Sequence, residues 1–197
     1  MNDQDRNSIL IHGKNEIEAI RKMITLIGDN PDREGLKDTP LRVINSWREL
    51  YSGYKENPKE ILSTVFEEAM AKHDEIVMCK NISFSSMCEH HMLPFHGVVH
   101  IGYLPDKKVV GLSKLARLVE CFGKRLQIQE HLTDQIVDSI MEYLQPQGAG
   151  VIITAKHLCM SSRGVKNATS EMVTSAMRGK FKTQSQTRDE FLTLIKI

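Results

Sequence analysis

The sequence predicts an α+β fold: an N-terminal helical arm, then a mostly antiparallel sheet with two helices on one face. Three observations lead there. Isoleucines recur at three- and four-residue steps in the first third, β-branched and aromatic runs bounded by turn residues take over near residue 75, and beyond it the order is strands, helices, strands. The expected division is therefore 1–70 as a helical region and 71–197 as the domain that carries the chemistry.

In chain order, Ile17, Ile20, Ile24 and Ile27 mark a helix after Gly13, ended by Asn30-Pro31. Asp38-Thr39-Pro40 supplies a cap and a proline at the first helical position for a second helix over 41–51, and a short third begins near Pro58. Segments 76–84 and 97–104 read as strands, with Pro105-Asp106-Lys107-Lys108 as a hairpin turn into Val109-Val110. Leu115, Leu118, Val119 and Phe122 share one side of a helix opening at Ser113, and Ile136, Ile140, Met141 and Leu144 do so on a helix from Thr133. After the breaker Gln145-Pro146-Gln147-Gly148 come strands at 151–157 and 171–177 and a closing helix over 188–195.

A chain of 197 residues, 41% hydrophobic and 26% charged, can bury a core, which excludes disorder and a collagen-like fibre. With Lys+Arg 26 against Asp+Glu 25 the net charge is +1, too balanced for a protein held to nucleic acid by charge alone, so any anion site is a local cluster. The longest apolar runs, such as Val151-Ile152-Ile153, are too short for a bilayer, and the first six residues lack an apolar signal core; a cytoplasmic location without membrane attachment is expected. The four cysteines are sparse, which suits reduced thiols or metal ligands better than a disulfide framework.

The densest chemistry is Cys88-Glu89-His90-His91 at the end of a predicted strand. A second cluster, His157-Leu158-Cys159, places imidazole and thiol on one surface if 151–159 is a strand, since positions two apart face the same way. Two cysteines and one histidine suit zinc and leave a fourth position for water or substrate. Any lone Cys or His is more often a packed or hydrogen-bonded residue; two clusters together favour ligands. Spacing leaves His90 and His91 as alternative ligands. Cys79 and Cys121 read as packing residues, His96 and His100 as one hydrogen-bonded or solvated strand face, and His12, His73 and His131 have no partner.

An anion cluster is the next feature. Ser113 is a plausible helix cap, with Lys114 and Arg117 three apart in the first turn, where free amides and the helix dipole favour phosphate. Arg163 follows four residues after Cys159, and a guanidinium there is suited to bidentate phosphate contact. Gln129-Glu130 offers either a carboxylate for a purine edge or a cap near Thr133, and the residues alone favour the cap.

Taken together, Cys88-Glu89-His90-His91, the run from Gly111 to Arg117, Gln129-Glu130, His157-Leu158-Cys159-Met160 and Arg163-Gly164 resemble GTP cyclohydrolase I, from about Pro31 through Leu192. The resemblance implies the tunnelling fold, in which subunits join sheets into a pentameric barrel and two barrels stack into a decamer with shared active sites. It implies Cys88, His91 and Cys159 as zinc ligands, His90 and His157 as proton movers, and Glu130, with Gln129 beside it, as the guanine-holding group. It matches Lys114, Arg117, Arg163 and Arg42 to triphosphate contacts and Ser113 to a pocket serine. His131 and Ser161-Ser162 depart from the commoner residues at their places. The activity implied is hydrolysis of GTP at guanine carbon 8, with ring opening, formate release and rearrangement to 7,8-dihydroneopterin triphosphate, the first step of pterin and tetrahydrofolate biosynthesis. The competing reading is a non-catalytic zinc-stabilised nucleotide-binding or regulatory module on the same fold; a structural zinc would want a fourth protein ligand, and only three are in view. No regulatory partner can be read from the sequence.

Overall fold

The computed structural model describes residues 13–66 and 75–196. Its backbone groups into two compact units, one ending at Leu50 and one beginning at Tyr51; the boundary expected at residue 70 lies outside the described residues, as do His12 and His73.

In the first unit, α1 (Lys14–Leu26) buries Ile20 and Ile24, a four-residue step that keeps both on one face. Ile27, expected on the same stripe, is the C-cap and is exposed, because the helix has already ended. Arg21 reaches Asp32 at 2.6 Å and Arg33 binds Asp29 through two 2.8 Å contacts, which brace the following turn. The second helix, α2 (Thr39–Leu50), carries Pro40 in its first turn, where a missing N–H breaks no helical bond.

In the second unit a 3₁₀ turn (Ser52–Lys55) precedes α3 (Pro58–Ile61), which Asn57 caps by accepting the Lys59 N–H at 3.0 Å. Five strands form the main sheet: β2 (Val77–Cys88), β3 (Pro94–Leu104), β5 (Leu126–Gln127), β6 (Gly148–His157) and β7 (Met172–Gly179), in the order β5-β2-β3-β6-β7. All neighbours are antiparallel except β2 with β5. The remaining strands, β1 (Val65–Phe66) and β4 (Val109–Val110), pair with each other. This corrects the hairpin expected at Pro105-Asp106-Lys107-Lys108. The buried Tyr103 hydroxyl accepts the Val110 N–H at 3.1 Å, and Val109-Val110 goes on to pair with β1 instead of doubling back on β3. The hairpin joins β2 to β3 through 89–93.

Two long helices, α4 (Leu112–Gly123) and α5 (Gln129–Leu144), lie on one face of the sheet, as the α+β reading expects. Phe95, Val99, Ile101 and Tyr103 alternate along β3 and pack with Leu115, Leu118, Leu132, Ile136 and Ile140, all at most 1% exposed. Each such side chain contributes about 1.5–3 kcal/mol by leaving water. The second helix starts at Gln129, not Thr133, because Leu132 extends the stripe of Ile136, Ile140 and Leu144 by one more turn. On the opposite face α7 (Lys180–Thr183) and α8 (Ser185–Lys196) supply Phe181 and Phe191, packed edge to face with ring centroids 5.3 Å apart. They seat there because β3 and β6 present glycines; a Cβ on Gly102 would stand 2.6 Å from the Phe191 ring. No helix among the described residues is long and apolar enough to cross a membrane.

One boundary bears directly on the chemistry. The strand β6 stops at His157, and residues Leu158–Ser161 form a one-turn helix, α6. Strand alternation therefore does not place Cys159 beside His157, as the sequence suggested; a helical turn does.

Candidate active site

The site gathers where the β2–β3 hairpin, the start of α5 and the β6–α6 junction meet. Cys88 is the last residue of β2, and the chain folds back over it: the His91 and Met92 N–H groups both donate to the Cys88 carbonyl, at 3.4 and 2.8 Å, and Met92 takes the left-handed conformation that closes the turn. That turn brings His91 Nδ1 to 3.8 Å from Cys88 Sγ. The α6 turn delivers Cys159 from the other side, and donor atoms of Cys88, His91 and Cys159 all lie within 4.8 Å of one another. Tetrahedral zinc with ligands at about 2.0–2.3 Å needs donors about 3.3–3.8 Å apart, so small side-chain rotations would close the set. Burial pushes the Cys159 thiol up, and the neighbouring Cys88 adds to the shift, while the nearby Arg163 charge draws it down less. Two thiolates this close oppose one another's charge, and a divalent cation between them removes that penalty. The donor set thus fits zinc on chemistry and on reach.

A cleft of about 230 Å³ lies against these donors, lined also by His90, Gln129, Glu130 and His157. His90 is exposed, its Nε2 3.7 Å from a Glu89 carboxylate oxygen. Glu130, exposed in the first turn of α5, lines the cleft, and its charge reaches His157. His157 is fixed on two sides. Its ring stacks on Phe95, its partner in the β3–β6 register, with centroids 4.6 Å apart and planes 4° from parallel. Its Nε2 lies 2.8 Å from Gln129 Oε1. Burial lowers its pKa below the ordinary histidine value, and the Glu130 charge partly offsets that.

Gln129 supports His157 from behind. It is 1% exposed, and its nitrogen donates towards the Ile153 and Met172 carbonyls and Thr174 Oγ1, at 3.1, 3.0 and 3.1 Å. The amide nitrogen is thus engaged inside the protein, while the residue also lines the cleft.

Among the described residues, Lys114 and Arg117 do not line this cleft. Ser113, Lys114 and Arg117 sit in the first turns of α4, which Gly111 caps; Ser113 is inside the helix and makes no cap, because the helix opens one residue before it. Val110, just before that helix, is bonded to Tyr103, whereas Phe95 marks the cleft. The strand from Phe95 to Tyr103 spans roughly 26 Å. Arg163 is exposed on the loop after α6, near enough to act on Cys159. Arg42 lies in the first unit, exposed on α2 and 3.5 Å from Asp38.

The other titratable candidates fall into packing roles. Cys121 is fully buried and takes an Arg125 N–H at 3.2 Å, and burial pushes the Cys79 and Cys121 thiols up. His100 accepts the Asn81 N–H at 3.3 Å. The Ser161 and Ser162 hydroxyls bond back to the His157 and Leu158 carbonyls, closing the α6 turn. Sequence reasoning missed Phe95, since the predicted strand began at Gly97; a proline at a strand start, as at Pro94, was the available signal.

Comparison with known proteins gives a consistent result. Residues 17–196 match the family model for GTP cyclohydrolase I. GTP cyclohydrolase 1 of Wolinella succinogenes is 60% identical over 179 residues, 91% of this chain and 95% of the relative. The protein of that name from Campylobacter lari is 51% identical over 90% of this chain and 93% of its own, and that from Mycolicibacterium gilvum 50% identical over 90% and 87%.

Proposed function

The chain belongs to the GTP cyclohydrolase I family, and on that premise we propose that it hydrolyses GTP at guanine carbon 8, opening the imidazole ring, releasing formate and forming 7,8-dihydroneopterin triphosphate, the entry to pterin and tetrahydrofolate synthesis in the cytoplasm. The observation that carries this reading is the convergence of three soft donors, Cys88, His91 and Cys159, on a cleft whose wall also holds Glu130 and His157.

Cys88, His91 and Cys159 would hold zinc, which would supply a lowered pKa, near 7, for the water that attacks carbon 8. The chain's own groups do the rest. The Glu130 carboxylate accepts the two N–H groups on the guanine edge, which aims carbon 8 at the metal end of the cleft. Attack at carbon 8 builds charge on the purine, and His157, locked by Phe95 and Gln129, is placed to move a proton to nitrogen 7. His90, exposed at the cleft mouth, serves the later proton transfers of ring opening and closure. Lys114, Arg117, Arg163 and Arg42 hold the triphosphate, with Ser113 beside them.

Those cations also bear on assembly. Because Lys114 and Arg117 stand at the far end of β3 from the cleft, a complete GTP site is assembled between neighbouring subunits. Among the described residues the sheet has the edges for it: β7 is terminal, and β5 pairs with only the last two residues of β2. Open edges of that length invite pairing with another copy, and a decamer of two pentamers is the assembly we propose.

The purified chain, loaded with zinc and given GTP, should release formate and develop a pterin chromophore. Intact GTP, or release of phosphate without formate, would refute the reading.

A further inference from the structure

The Gln129 amide can be oriented only one way. Its nitrogen faces the Ile153 and Met172 carbonyl oxygens, at 3.1 and 3.0 Å, and carbonyls accept but never donate, so the oxygen is the atom 2.8 Å from His157 Nε2. The neighbouring hydroxyls agree. Thr133 gives its hydrogen to the Gln129 carbonyl at 2.6 Å, so across the 2.7 Å contact Thr174 donates to Thr133 and keeps a lone pair for Gln129 Nε2 at 3.1 Å. The direction of each hydrogen bond is thereby set: Thr174 donates to Thr133, Gln129 Nε2 donates to the β6 and β7 groups, and His157 donates to Gln129 Oε1.

An amide oxygen carries no hydrogen, so His157 Nε2 must carry one, and in the neutral ring Nδ1 is then bare. Phe95 holds the plane of the ring by stacking at 4°. Stacking alone leaves the ring free to turn over within that plane, and the Gln129 bond is what selects one of the two orientations.

We propose that Gln129 is a positioning residue that holds His157 as the Nε2–H tautomer and reserves Nδ1 for proton exchange with the purine. The inference rests on the reading of His157 as the proton mover given above. The bare Nδ1 first takes the proton that the attacking water gives up and then passes it to purine nitrogen 7, so Nε2–H is untouched and the ring ends each turnover as it began. Mutual support from three elements explains why a glutamine is needed: it alone combines an acceptor for the imidazole with donors for two strand carbonyls at that reach.

Zinc-loaded, substrate-free protein labelled with ¹⁵N at histidine, studied by solid-state NMR at about pH 8, well above the ordinary histidine range, tests the tautomer without any turnover. The His157 signals, identified by their disappearance in His157→Ala, should show hydrogen on Nε2 and a bare Nδ1; hydrogen on Nδ1 overturns the proposal. In Gln129→Leu, kcat should fall by about 10–100-fold, as for other partners that orient a functional histidine, with KM within about threefold. Gln129→Glu, whose buried carboxyl must keep its proton to face the Ile153 and Met172 carbonyls, still turns an acceptor to Nε2 and should recover part of the lost turnover. A rise in KM that accounts for the whole loss, or no gain from glutamate over leucine, would make Gln129 a substrate contact or a packing residue and overturn the proposal. Should the leucine variant fail to fold, the wild-type spectrum decides. Wild-type protein that shows the Nε2–H tautomer but releases no formate would refute the proposed function and leave the tautomer result standing.

Discussion

Replacing His157 with alanine separates proton transfer from metal binding. The ring makes two structural contacts, the 4.6 Å stack on Phe95 and the 2.8 Å bond to Gln129. Losing the stack costs about 0.5–1.5 kcal/mol, and leaving the Gln129 oxygen without its donor costs about 1–3 kcal/mol if water cannot reach it. The cleft admits water to that wall, so the lower half of the combined range applies, against the 5–15 kcal/mol typical of a folded domain. The variant should therefore fold. Its turnover should fall by about 10²–10⁴, equivalent to about 2.7–5.4 kcal/mol of barrier, because a positioned proton mover is gone while Cys88, His91 and Cys159 remain. Zinc content, the GTP dissociation constant and formate release, measured on one preparation, provide the test. Zinc lost together with activity would put His157 in the coordination shell, near-normal formate release would remove it from proton transfer, and a GTP affinity loss as large as the turnover loss would make it a binding group.

Three further perturbations test the rest of the assignment. Cys88→Ser or Cys159→Ser should lose zinc and activity while the proposed decamer persists, since that proposal rests on sheet edges and not on the metal; stoichiometric zinc in either variant, alongside unchanged sizing, would remove the assigned centre. Arg163→Ala and Lys114→Ala should each weaken GTP binding by about 1.5–3 kcal/mol and guanosine binding far less, because each removes a charge-assisted contact to phosphate; equal losses by calorimetry for both ligands would refute the placement. His100, 7% exposed, is held below its ordinary pKa by burial and then by the Lys80 charge, and its neutral ring accepts the Asn81 N–H. The unfolded ring titrates near 6.5, so below that pH the unfolded chain binds more protons; the stability tied to neutral His100 is complete above about pH 6.5 and is lost as pH falls towards the depressed folded value. His100→Gln should flatten the acid-side fall of Tm, and an unchanged slope would show that other groups govern it.

Residues that meet the core through their own local period were legible from the sequence. Ile20 and Ile24, the Leu115–Leu118–Phe122 stripe and the Ile136–Ile140–Leu144 stripe all bury as spacing predicts, because a helix turns every 3.6 residues whatever it packs against. That Cys88 meets a nearby histidine was within reach for a similar reason, since residues on a tight turn lie together. Spacing left His90 and His91 as alternatives, and only the turn itself brings His91 to Cys88.

Segment ends and long-range partners were not recorded locally. Nothing in Val109-Val110 says that it pairs with Val65–Phe66, since either strand would satisfy the same backbone groups, nor that the Val110 N–H meets the buried Tyr103 hydroxyl. Nothing in His157-Leu158-Cys159 says that the strand stops at its first residue, so alternation misread how Cys159 reaches the metal donors. The sequence by itself determined the helices, the strand-rich centre and the chemical inventory of the site, because periodicity and composition act over a few residues. Tertiary structure alone decided that His157 lies on Phe95 and against Gln129, because β3–β6 register and the first turn of α5 bring together atoms from segments that carry no mark of one another.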